Sequence, residues 1–186
     1  MSFAAIRGQD PAVQTLRAAL RHGRAHHAYR FEGPDGVGKE MTAMAYAQAL
    51  LCERGGDEAC GECRSCKRVT TLSGEPPHLP QHPDLVFVQR GLYAPETIGG
   101  KSPEKTAISV AQVRKVILER AGFPPHEGRA LVFIIRQAEE LTGEAANTLL
   151  KTLEEPIDRT YFVLLTSRPD QLLDTIRSRT LPVRFG

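Results

Sequence analysis

His27-Ala28-Tyr29-Arg30-Phe31 leads through Glu32 into Gly33-Pro34-Asp35-Gly36-Val37-Gly38-Lys39-Glu40, and this run decides the fold. Its first five residues read as a short strand. Residues 41–51, rich in Ala, Met and Leu and free of Pro and Gly, read as a helix. Strand, glycine loop and helix in that order form the setting a phosphate-binding loop requires. Gly33, Gly36 and Gly38 let backbone N–H groups turn inward on phosphate oxygens. The helix behind them adds partial positive charge at its N-terminus, and Lys39 would reach the β- and γ-phosphates.

The next position of the pattern requires Ser or Thr, whose hydroxyl holds Mg²⁺; here it is Glu40. A carboxylate beside the phosphates is unfavourable. At roughly 4 Å and an effective dielectric of 20, each like-charge contact costs about 4 kcal/mol before screening. The second half of an ATPase site is a carboxylate pair after a buried strand, one for Mg²⁺ and one for the attacking water. The candidate strand, Leu131-Val132-Phe133-Ile134-Ile135, is followed instead by Arg136-Gln137. A cation and an amide do neither job, and Glu139 and Glu140 would need a shifted register. On sequence, the two catalytic halves fail independently. Efficient Mg-dependent hydrolysis is not expected, and whether ATP or ADP occupies the loop stays open.

Outward from the loop, apolar spacing predicts helices over 9–22, 110–120, 144–153 and 170–177. Strands are expected over 84–89, 130–135, 161–166 and 181–185. Residues 68–81 and 91–106 read as loops, the second a mobile one. Nearly continuous apolar strands alternating with helices indicate an α/β fold, a parallel sheet covered on both faces in three layers. The 186 residues, 41% apolar with a net charge of +2, suit one domain, 1–186, and do not suggest a dedicated nucleic-acid-wrapping protein. With no secretory signal and no apolar run of membrane-spanning length, a soluble, cytoplasmic chain away from membranes is expected.

All four cysteines, Cys52, Cys60, Cys63 and Cys66, fall within fifteen residues. In a reducing compartment such clustering favours a metal over disulfides. The two CxxC spacings suit a closed, structural four-cysteine zinc module inserted at about 52–66. Iron–sulfur ligation fits less well, because that pattern expects its fourth cysteine downstream. Near the end, Arg177-Ser178-Arg179 sits between a helix and the last strand. Chemistry alone allows an ordinary surface charge or an arginine finger for a neighbour's γ-phosphate.

Several segments together resemble the bacterial DNA polymerase III clamp-loader subunits of the AAA+ class. They are His27-Ala28-Tyr29, the phosphate loop, the cysteines, His82-Pro83-Asp84, Ile108-Ser109-Val110-Ala111-Gln112-Val113-Arg114, the run AANTLLKTLEEP ending at Pro156, and Ser178-Arg179. They keep the family's order over nearly the whole chain. The resemblance implies a P-loop NTPase sheet of the AAA+, RecA-like kind. Within the family, motor subunits (gamma and tau) carry a complete phosphate loop and an Asp-Glu pair. Glu40, Arg136 and Gln137 make this chain look like the delta-prime type, which lacks ATPase residues and offers the Ser-Arg arginine, here Arg179, to a neighbouring motor subunit. Thr180 departs from the family's usual Cys.

What the resemblance implies is a part in the DNA polymerase III holoenzyme, a nucleotidyltransferase, without independent ATPase activity. The implied partners are the gamma/tau and delta subunits, the sliding clamp, and primed DNA through the assembled complex. Family members continue into a helical lid and collar, and this chain stops at Gly186, where the lid would begin; a fragment that folds without stable assembly is expected. The alternatives are an active gamma/tau-type motor, with Glu40 and Glu139 rescuing metal binding, and a zinc-based DNA-binding module. The cysteine loop offers the second only Arg54 and Arg64 and no aromatic ring.

Overall fold

The computed structural model describes residues 2–186. Its helices are α1 (Asp10–Arg21), α2 (Lys39–Leu51), α3 (Arg64–Thr70), a single turn α4 (Pro95–Ile98), α5 (110–121), α6 (Gly143–Glu154) and α7 (Asp174–Arg177). Its strands are β1 (Ala28–Glu32), β2 (Leu85–Val88), β3 (Leu131–Ile135), β4 (Thr160–Thr166) and β5 (Leu181–Arg184). The strands form one parallel sheet in the order β2-β3-β4-β1-β5. Register is close: Ala28 lies beside Phe162, and Phe133 beside Phe162 from the other side.

Alternation along the strands divides the core in two. Tyr29, Phe31, Phe87, Val132, Ile134 and Val163 pack under α1 and α2. Ala28, Leu131, Phe133, Ile135, Phe162 and Leu164 pack under α5, α6 and α7. All of β3 is buried, which is why its sequence is uniformly apolar. The three-layer α/β expectation is met. Side chains start the helices: Ser109 Oγ accepts the Gln112 N–H, and Thr142 Oγ1 accepts the Ala145 N–H.

Three expectations are corrected. Residues 64–70 form helix α3 inside a stretch partly read as loop, because Cys63 Sγ caps it and Val69 buries against the core. The 170–177 helix is split: a 3-10 turn at Pro169–Gln171 ends where Leu172 adopts extended backbone, and α7 starts after Leu173. The 91–106 segment, read as loop, contains the single turn α4, and Glu104 accepts bonds from the Gly91 and Ser109 N–H groups and from the Gln112 amide. Helix α5 also carries a π-helical stretch, Val113–Leu118, that apolar spacing does not reveal.

Candidate functional site

The phosphate loop leaves β1 at the carboxyl edge of the sheet, where ligands of open α/β sheets bind. Gly33 begins it under tight constraint. A Cβ there would lie 2.4 Å from the Phe185 carbonyl oxygen, so glycine is required where β1 and β5 end together. Gly36 and Gly38 take left-handed backbone (φ 76° and 104°), which turns the loop into α2. Helix α2 begins at Lys39, two residues before the run that sequence assigns to it, so Glu40 stands in its first turn.

Lys39 is almost fully buried. Its Nζ donates to the Gly33 carbonyl and, at 2.7 Å, to the Pro34 carbonyl, folding the side chain back along the loop. Burial lowers its pKa, against the opposing pull of Asp35 and Glu139. The cavity in front of the loop, about 500 Å³, is lined by Gly36, Gly38, Lys39, Glu40, Arg136 and Gln137 among others. The structure therefore brings Gly36, Gly38, Lys39 and Glu40 together with both positions of the missing carboxylate pair, while Gly33 packs against Phe185 instead of lining the cavity.

Those positions do not fail independently, as the sequence implied. Arg136 Nη2 donates directly to Glu40 Oε1. Its Nη1 donates to Gln89 Oε1 at 3.1 Å, and its guanidinium lies 4.5 Å over the Phe87 ring. Gln89 is itself held, because Gln112 accepts its N–H and donates to its carbonyl, each at 3.1 Å. Opposite charges at the two altered positions were the signal for this pairing. Gln137 follows in left-handed backbone (φ 48°), an uncommon state for a non-glycine residue. Glu139 and Glu140 do not rescue the lost carboxylates. The Glu139 side chain is buried and accepts from Ser167, 3.5 Å from Arg168 Nε, while Glu140 pairs with Arg90 at 3.3 Å.

The four cysteine sulfurs all lie within 4.8 Å of one another, and Cys60 and Cys66 Sγ are 3.9 Å apart. A zinc–thiolate tetrahedron with ~2.3 Å bonds has an edge of about 3.8 Å, so the residues fit such an ion. Backbone N–H groups of Cys60, Cys63 and Cys66 point at the sulfurs of Cys52, Cys60 and Cys63, each at 3.4 Å. Such bonds, led by that from Cys63, draw the Cys60 thiol down to about 6, toward the thiolate a metal needs. Burial pushes Cys66 the opposite way. The four cysteines could hold one metal ion, with no coordination position left open.

This module is docked on the domain. Asp57 receives Arg17 at 3.0 Å and Arg21 at 2.6 Å from α1. Ser65 Oγ donates to the Leu51 carbonyl and contacts His82 Nε2, both at 2.7 Å. His82 Nδ1 accepts the Asp84 N–H, so the proton resides on Nε2 and His82 is neutral there; burial lowers its pKa. The loop's cations are engaged, Arg54 with Glu62 and Arg64 with Glu127.

Arg179 lies at the opposite edge of the sheet. β5 runs parallel to β1, with Leu181 beside Tyr29 and Arg184 beside Glu32. Arg179 precedes β5 and the phosphate loop follows β1, so about 10 Å of strand separates their ends. Its Nη1 donates to the Thr175 carbonyl at 3.0 Å, and its Nε lies 3.4 Å from Glu154 Oε2. Sequence reading missed its anchor, Arg30. Buried on β1, Arg30 Nη1 donates to the Arg177 carbonyl (3.0 Å), the Thr180 carbonyl (3.3 Å) and Thr180 Oγ1 (2.7 Å). Thr180 Oγ1 donates in turn to the Ile176 carbonyl at 2.9 Å, which accounts for a hydroxyl residue there. An arginine in an otherwise apolar strand run was the available sign.

Comparison with known proteins agrees with this architecture. Residues 8–186 match the family described as DNA polymerase III, delta subunit. DNA polymerase III subunit delta' of Bacillus subtilis is 38% identical over 178 residues, covering 94% of this chain and 47% of its own length. DNA polymerase III subunit gamma/tau of Mycobacterium tuberculosis is 35% identical over 180 residues, 96% of this chain and 28% of its own. The crystal structure of a DNA polymerase III gamma subunit-related protein from Thermotoga maritima superposes with a TM-score of 0.61 at 20% identity, over 94% of this chain and 46% of that one. The chain thus spans half or less of the length of these relatives. With its sequence matched over residues 8–186, this chain belongs to the DNA polymerase III delta subunit family.

Proposed function

We propose that this chain is the nucleotide-binding-type domain of a delta-prime clamp-loader subunit, ATPase-degenerate itself, that completes a neighbouring motor subunit's site with Arg179. The observation that carries the reading is the Glu40–Arg136 ion pair, which fills both positions where an ATPase needs metal-binding groups. An active gamma/tau-type motor would need Glu40 free and a carboxylate at 136. Arg179 sits about 10 Å of strand from its own phosphate loop, which suits a group that serves another subunit. Its tether to the half-exposed Glu154 is the weak kind, worth ~0–1 kcal/mol, that a phosphate displaces readily. The partners in this reading are the gamma/tau and delta subunits, and through the assembly the sliding clamp and primed DNA, in the cytoplasm.

The test is ATP turnover by a reconstituted full-length loader with Arg179→Ala in this subunit alone. Reduced clamp- and DNA-stimulated turnover with intact assembly supports the role; unchanged turnover removes it.

In the same reading the cysteines hold one structural zinc, and the docked module braces α1 and α3 without contacting DNA. Metal analysis of the purified protein is expected to give about one zinc per chain. Cys63→Ser is expected to lose the zinc and loosen α3, whose N-terminus Cys63 caps. Full zinc occupancy in that variant would argue against a four-thiolate site.

A further inference from the structure

The phosphate site contains a cation of the chain's own where related folds place a divalent metal. We infer that Arg136, held by Glu40, takes the place of Mg²⁺, so that this site binds a nucleoside di- or triphosphate without a divalent metal. The inference rests on reading residues 33–40 as a phosphate loop.

Charge and geometry both carry it. A complete site has two strand-end carboxylates and a hydroxyl around a doubly charged ion, neutral in total. Here the same three positions carry Arg136, Gln137 and Glu40, one cation, one amide and one carboxylate, again neutral but with no ion. The residues do not fit Mg²⁺. Its two protein partners are replaced, one by a guanidinium that would repel it, and the carboxylate at position 40 is already engaged by that guanidinium. Arg136 is not a loose surface side chain. The Phe87 ring and Gln89 fix its plane beside the cavity that Lys39 also lines. A planar guanidinium with five donors suits phosphate oxygens, and Arg136 lines the cavity beside Lys39. The loop glycines and Lys39, which bind phosphate without help from the metal, are all retained.

The experiment is equilibrium titration of the full-length protein carrying this chain with fluorescent ADP and ATP analogues, in buffer passed over a chelating resin before the protein is added and in the same buffer with Mg²⁺. The expected result is saturable binding whose affinity changes less than about threefold between the two. Arg136→Ala should weaken binding about tenfold in the Mg²⁺-free buffer. Glu40→Thr combined with Arg136→Asp should restore a dependence on Mg²⁺ of about tenfold or more. Unchanged zinc content and unfolding midpoint establish that each variant is folded.

Binding that falls tenfold or more on metal removal in the unaltered protein overturns the inference and leaves a conventional nucleotide site. Absence of binding in both buffers also overturns it. The delta-prime reading is then untouched, because it is tested separately through Arg179 on the neighbour's turnover.

Discussion

Replacing Arg179 by Ala is expected to lower ATP turnover at the neighbouring motor site by ~10³ or more, with the loader still assembled. That corresponds to about 4 kcal/mol of transition-state stabilisation. The cause is charge: negative charge spreads over the γ-phosphoryl oxygens in the transition state, and a planar guanidinium meets it with paired donors. Arg179→Lys is expected to recover little, since an ammonium is a point charge without the fork. Stability should hardly change, because the interactions lost are one partly exposed ion pair and one helix-end carbonyl contact. Single-turnover ATP hydrolysis by the assembled complex checks the first expectation, and a thermal melt the second. Arg30→Met tests how the arginine is presented. It removes all three bonds that hold the 177–180 segment against β1 and should lower turnover even with Arg179 in place.

The largest effect on stability is expected at Asp84. Its carboxylate is completely buried and accepts N–H groups from Glu127 (2.9 Å), Gly128 (2.6 Å) and His126 (2.6 Å), together with the guanidinium of Arg120. These bonds fold residues 126–128 over the start of β2 and β3. Asp84→Ala leaves three amides without their acceptor and the largely buried Arg120 guanidinium without its carboxylate, holding only backbone carbonyls such as that of Pro124, a loss of about 3–5 kcal/mol. For a domain of this size, that lowers the melting temperature by about 6–20 °C.

The same network makes stability depend on pH. Burial alone would raise the Asp84 pKa, but the backbone bonds and Arg120 outweigh it and hold the carboxyl below its ordinary value. A group depressed in the folded state stabilises fully above its unfolded pKa, near 3.9. That contribution is lost as pH falls through the lower folded value. Acid titration of the unfolding free energy should therefore show a steeper decline below about pH 4 in the unaltered protein than in Asp84→Ala. Parallel curves would mean that the Asp84 carboxyl has the same pKa folded and unfolded.

Much of this protein is legible in its chain, where the signal is local. β3 announces itself as five consecutive apolar residues because both of its faces are covered. Gly33, Gly36 and Gly38 mark the phosphate loop because backbone geometry there demands glycine. The cysteine spacings identify a metal-type cluster because all four ligands lie within one short insertion. The departure from Ser or Thr at 40 and from acids at 136 and 137 is legible in the same way, since each role in ATP hydrolysis calls for a particular functional group.

Helix α3 was legible only in part, because its start depends on a sulfur cap. The tertiary structure decided the pairings. Glu40 and Arg136 are 96 residues apart, so nothing in either segment shows that two defects are one compensated pair. Arg30 reaches 150 residues along the chain to Thr180, and its purpose appears only when β1 and β5 lie side by side. Asp84 reads as an ordinary acid until the loop at 126–128 closes on it. Short-range pattern specifies which elements form, because helix and strand periods are properties of neighbours in the chain. Which charges meet is set by packing across the sheet, and that information is spread over residues that no local window contains.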